Sequence, residues 1–158
     1  SGQSGTVVAR LDGNSDLCVT THMDLNHPLN CLTFNLQRAS RNLVRGFEAA
    51  AKESGLSAPQ FATLSVLAAY GQAQVTQLAD LLGTERTTLT RNLDLLARKG
   101  WIEEVAAEDA RLHLWSLTPL GRERLGAALP VWQKYQAGLV ERLGSTDAED
   151  LLAILSRL

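Results

Sequence analysis

The 158 residues are 45% apolar and 20% charged, with a net charge of −2, which fits one ordinary globular domain with a core of its own. No apolar run approaches the length of a membrane span, and residues 1–26 lack a basic segment followed by an apolar core, so neither a membrane helix nor a secretory signal is expected. Cys18 and Cys31, without CxxC spacing, do not make a disulfide scaffold and point to a cytoplasmic protein with reduced thiols.

Residues 1–27 are polar, rich in Gly, Ser, Thr and Asn, and without sustained periodicity, so they read as a flexible N-terminal arm. Ser1-Gly2 resembles an expression scar, which leaves Met23 or a residue upstream of Ser1 as the natural start. From Pro28 to Ser54 the spacing predicts a long helix, with Leu32, Leu36, Ala39, Leu43, Phe47 and Ala50 on one face. Phe34, Arg38, Arg41, Arg45 and Lys52 lie opposite. Ser57-Ala58-Pro59-Gln60 has capping-box form and opens a second helix to about Tyr70. Thr76 then caps a short helix that Gly83 ends.

Thr84 to Gly100 is the most informative stretch, a helix with Thr84 as its N-cap and Gly100 at its C-terminus. At 100° per residue, Leu89, Leu93 and Leu96 cluster on one face and Thr87, Thr90, Arg91 and Asp94 on the other. Short hydroxyls and a guanidinium can reach phosphates and base edges. Two short helices joined by a Gly-containing turn make a helix-turn-helix. Residues 101–105 and 111–117 follow as two strands around a polar, acidic tip at 106–110, a plausible wing. Thr118-Pro119 starts a long helix to about Leu143, with a bend expected at Pro130. Gly144 breaks it, and Thr146-x-x-Glu149 opens a final helix to Leu158.

Between Gly71 and Thr118 five basic residues face seven acidic ones, so non-specific binding to DNA is expected to be weak and a few well-placed cations must suffice. His22, His27 and His113 have no metal spacing. No Ser-His-Asp, Cys-His or Gly-rich phosphate motif is present, so neither catalysis nor a cofactor or metal is expected.

The run LADLLGTERTTLTRNLDLLARKGWIE, the triplet Asp109-Ala110-Arg111 and the segment Leu117-Thr118-Pro119-Leu120-Gly121 resemble the MarR family of dimeric winged-helix regulators over residues 28–158. The resemblance implies a mainly α fold, a winged helix-turn-helix with long N- and C-terminal helices forming a dimerisation domain. It assigns residues 28–56 and 119–158 to that domain and 57–118 to the DNA-binding lobe. It also implies a homodimer on a near-palindromic double-stranded DNA operator, because helix-turn-helix dimers read half-sites about one turn apart. Arg86, Thr87, Thr88, Thr90 and Arg91 are the expected contacts of the recognition helix. Arg111 is expected to enter the minor groove or clamp phosphate, oriented by Asp109. Ala106, Glu108 and Ala110 depart from the family's more charged wing, so its contacts are expected to be weaker than usual.

Such regulators are commonly repressors released by a small anionic or aromatic effector. Arg38, Arg41 and Arg45, three and four residues apart on one helix, could hold a carboxylate or phosphates, which suits a polyanionic effector such as an acyl-coenzyme A. A solvated face, with Arg45 paired to Glu48, is the plainer reading of any single arginine. Two other functions stay open. The first is a peroxide-sensing repressor using Cys31, although alignment with that subgroup puts its cysteine at Thr33 and Gln37 where a tyrosine is expected. The second is a winged-helix module serving protein association alone.

Overall fold

The computed structural model describes residues 24–106 and 113–158, and the chain divides into two units, Ser1–Ala39 and Ser40–Leu158. In the first unit the helix expected from Pro28 starts later. His27 Nδ1 accepts from the Leu29 N–H at 3.2 Å and caps a 3-10 turn at Pro28–Asn30. Cys31 at ψ 118 is not helical, so α1 (Leu32–Ala50) begins after it. The far end of α1 also stops short of Ser54, because Lys52–Ser54 tightens into a second 3-10 turn ahead of Gly55. Of the expected apolar stripe only Phe47 is buried; Leu32, Leu36 and Leu43 stay exposed.

In the second unit α2 (Ala58–Tyr70) starts where expected, with the Ser57 N–H donating to Gln60 Oε1 at 3.2 Å. The strand β1 (Gln72–Gln74) was not expected, since three residues with two glutamines carry no usable period. The segment α3 (Val75–Leu82) is capped at Gln74 rather than at Thr76, which is already helical.

The helix expected to read DNA, α4 (Arg86–Arg98), has Glu85 and not Thr84 at its N-cap position. The reason lies in the preceding helix. Gly83 takes the left-handed region at φ 56, its N–H bonds Asp80 O, and the Thr84 N–H bonds Ala79 O, the two bonds of a Schellman motif. Thr84 thereby lies in the closing turn of α3, and Glu85 after it stays extended at φ −61 and ψ 134. The Glu85 C=O, rather than that of Thr84, therefore accepts the first helical bond, from the Leu89 N–H. The far end of α4 repeats the device: Gly100 has φ 70, its N–H bonds Ala97 O, and the Trp101 N–H bonds Leu96 O.

Two further strands, β2 (Ile102–Val105) and β3 (Leu114–Leu117), complete an antiparallel sheet in the order β1-β3-β2. Ala73 faces Trp115, and Glu104 faces Trp115 from the other side of β3. Thr118 then joins three elements: its hydroxyl accepts the Gly121 N–H at 3.0 Å, caps α5 (Pro119–Leu143) and donates to Gly100 O at 2.7 Å. Pro130 lies inside α5, which continues through it. The last helix, α6 (Ser145–Leu155), is capped at Gly144, so the Thr146-x-x-Glu149 box does not form and Thr146 sits within the helix. No described helix is long and apolar enough to cross a membrane.

One buried cluster holds this unit together, drawing Leu64 and Leu67 from α2, Leu78 from α3, Leu89, Leu93 and Leu96 from α4, and Ile102, Leu117 and Leu125 from the sheet and α5. Each fully buried leucine contributes about 1.5–3 kcal/mol by leaving water. The core thereby presents α4 with its leucines inward and its polar face out. This is a mainly helical winged helix-turn-helix with a small three-stranded sheet.

Candidate nucleic-acid interface

The helical phase read from sequence is the one the fold adopts. Leu89, Leu93 and Leu96 are 2% exposed or less, while Arg86, Thr87, Thr88, Thr90 and Arg91 all face solvent. Thr90 Oγ1 donates to Arg86 O at 2.9 Å, which commits its only proton and leaves lone pairs and a methyl group for a ligand. Arg86 and Arg91 form no ion pair among the described residues, so both guanidinium groups are available. Lys99 is held differently, its Nζ lying 4.3 Å from the Trp101 ring centroid.

Asp109 and Arg111, the expected wing contacts, lie outside the described residues. What is described of the hairpin is acidic: Glu103 and Glu104 are exposed, and Glu104 pairs with His113. That pair was not foreseen, because it depends on strand register rather than on any motif. Asn92 was also missed. Its side-chain amide leaves α4 sideways and bonds Thr63 Oγ1 in α2 at 2.9 Å. No sequence signal marks a partner 29 residues away.

The residues considered for effector binding are placed as follows. Arg38 donates to Asn35 Oδ1 at 3.2 Å and lies 5.9 Å from the Phe34 ring centroid. Arg45 donates to Asn42 Oδ1 at 2.6 Å rather than pairing with Glu48, and Arg41 is exposed. Cys31 is an exposed free thiol. An open groove of roughly 490 Å³ runs between Ala50 of α1 and Val131, Lys134, Tyr135, Gly138 and Arg142 of α5. Beside it Phe47, Phe61, Trp132 and Tyr135 form an aromatic cluster, with Phe47–Phe61 centroids 5.2 Å apart and Phe61 stacked on Trp132 at 6.0 Å. Tyr135 reaches past Gly46 to donate to Leu43 O at 2.8 Å, tying α5 to α1.

Comparison with known proteins places this geometry in a wider group. A family model described as the MarR family matches residues 54–112. The transcriptional repressor MprA of Escherichia coli (strain K12) is 36% identical over 87 residues, 54% of this chain and 49% of that protein. The chain thus spans about half the length of the curated relatives it matches. Among solved structures, the M. tuberculosis transcriptional regulator MosR in complex with DNA is 36% identical, covering 81% of this chain and 99% of that one, with a TM-score of 0.67. The transcriptional repressor CouR bound to a 23-mer DNA duplex is 26% identical, covering 87% and 98%, with a TM-score of 0.74.

Proposed function

This chain belongs to the MarR family of winged helix-turn-helix transcriptional regulators, DNA-binding proteins rather than enzymes, and from that premise we propose that it is a homodimeric repressor. It reads a near-palindromic operator through α4 and is released by a small anionic or aromatic effector. The observation that carries the DNA reading is the split of α4 into a buried leucine face and a free face of Arg86, Thr87, Thr88, Thr90 and Arg91. Similarity to MosR in complex with DNA and to CouR bound to a duplex supports it, and similarity to the repressor MprA supports the direction of control. Asp109 and Arg111 are carried as wing contacts on sequence resemblance alone.

The dimer is supported by apolar surface left open on helices that the family uses for pairing. Leu43 of α1 and Leu151, Leu152, Ile154 and Leu155 of α6 are all exposed.

Selection of a preferred duplex from a random library, followed by affinity measurement, tests the DNA reading. Arg91→Ala is expected to cost about 1–3 kcal/mol on the selected site if Arg91 is bidentate to guanine. A loss equal on all duplexes would make Arg91 a phosphate contact. Absence of any preferred duplex at low salt would leave a protein-association module instead.

The effector reading rests on the spacing of Arg38, Arg41 and Arg45 and on the groove whose Lys134 and Arg142 flank Tyr135. A ligand that favours a lobe spacing mismatched to successive major grooves lowers DNA affinity by population shift, and bound DNA lowers ligand affinity by the same factor. A thermal-shift screen of aromatic acids and their coenzyme A thioesters is expected to give a hit of about 5 °C or more at 100 times its Kd. The Arg38→Ala/Arg41→Ala/Arg45→Ala variant should lose that shift, and an equal shift in it removes the three arginines from the site. Oxidant-driven release abolished by Cys31→Ser would favour peroxide sensing over a ligand.

A further inference from the structure

The leucine face that seats α4 is non-directional. It fixes which side of α4 turns inward, but it holds small rotations and slides along the axis less sharply than a directional bond does. Among the described residues, the side-chain hydrogen bonds that join α4 to another element all come from Asn92. Asn92 Nδ2 donates to Thr63 Oγ1 at 2.9 Å and lies 3.5 Å from Pro59 O, a weaker second contact.

Thr63 is 1% exposed, and its hydroxyl donates its one proton to Pro59 O at 2.9 Å. The oxygen can therefore only accept from Asn92, which must present its amide nitrogen. The orientation of the Asn92 side chain is thus dictated from inside α2.

The same turn of α2 faces two ways. Pro59 and Thr63, four residues apart, share the side toward α4. Phe61, on the opposite side of the turn, enters the aromatic cluster with Phe47 of α1 and Trp132 of α5. One helical turn therefore contacts the reading helix and the long helices together.

We propose that Asn92 is a positioning residue for DNA reading: its bond to Thr63 sets the rotation and slide of α4, and makes α4 follow the α2 turn that carries Phe61. Asn92 touches no base itself. It aims Arg91 and Thr90, its neighbours on the helix, and it links them to the aromatic cluster. This rests on the DNA reading above.

The test compares a selected operator with an unrelated duplex, over a range of salt, for the wild-type chain, Asn92→Ala, Thr63→Val, the double variant and Thr63→Ser. Each single change is expected to weaken operator binding about five- to tenfold, the scale of one hydrogen bond, with the unrelated duplex and the salt slope unchanged. The double variant should be no weaker than either single one, and Thr63→Ser, which keeps the hydroxyl, should stay within about twofold of wild type. Faster amide exchange along α4 should accompany the loss. If Thr63→Val fails to fold, Asn92→Ala and the uncharged, near-isosteric Asn92→Leu carry the comparison alone.

An unchanged operator-to-unrelated ratio overturns the inference, as does an equal loss on both duplexes or a Thr63→Ser variant as weak as Thr63→Val. A wild-type chain with no preferred duplex defeats the DNA reading first, and the role of Asn92 falls with it.

Discussion

Gly121→Ala is expected to destabilise the fold by about 3 kcal/mol or more, near the upper end of the usual penalty for overpacking. A Cβ at position 121 would sit 1.9 Å from Trp101 O and 2.8 Å from its carbonyl carbon. The obstacle is backbone, so no side-chain rotation relieves it. That carbonyl also accepts the Thr118 N–H at 3.1 Å, in the junction that the Thr118 hydroxyl closes onto Gly100 O. Pushing Trp101 away therefore strains the end of α4, the start of β2 and the cap of α5 together. Gly126→Ala is the control. It lies in the same helix with nothing within 4 Å, so it is expected to stabilise by about 0.5–1 kcal/mol. Denaturant midpoints measured on both variants should move in opposite directions. A Gly121→Ala protein as stable as wild type would show that the approach of α5 to Trp101 is looser than described.

Leu93→Ala is expected to cost about 3 kcal/mol, lowering the melting temperature by roughly 6–12 °C. Leu93 is 1% exposed at the centre of the cluster that seats α4, and truncation leaves a cavity that neighbouring leucines fill only in part. Leu95, two residues on, is 37% exposed, and Leu95→Ala is expected to stay within about 0.5 kcal/mol. Thermal melts of the two variants at equal protein concentration separate the faces of α4. Equal losses would mean that α4 is rotated from the phase described here. Arg91 and Thr90 would then point elsewhere, so this stability measurement also checks the DNA face.

Much of the interface was legible because a helix obeys a short-range code. The spacing of Leu89, Leu93 and Leu96 fixes which side turns inward, and that alone brings Arg86, Thr87, Thr88, Thr90 and Arg91 to the other side. The misplaced caps show where the code stops. Thr84 is a better N-cap than Glu85 by residue type, yet Glu85 stays extended after the Schellman closure of α3, so the helix starts one residue later. Thr146 failed similarly, since Gly144 had already begun α6. When two helices meet with almost no linker, the end of one competes with the start of the next, and side-chain preference alone does not decide the winner.

By itself the sequence determined the order of the helices, the glycines that close α3 and α4, and the phase of α4. Each of these depends on hydrogen bonds or apolar spacing within a few residues. Tertiary structure decided the rest. Gln72–Gln74, two glutamines around one alanine, are a strand only because β3 supplies their partners. Gly121 is required only because Trp101 lies against it. Asn92 reads as one more polar residue until Thr63, with its proton already given to Pro59, turns toward it. Pairing across the fold sets what these residues do, and such pairing leaves no period or motif along the chain.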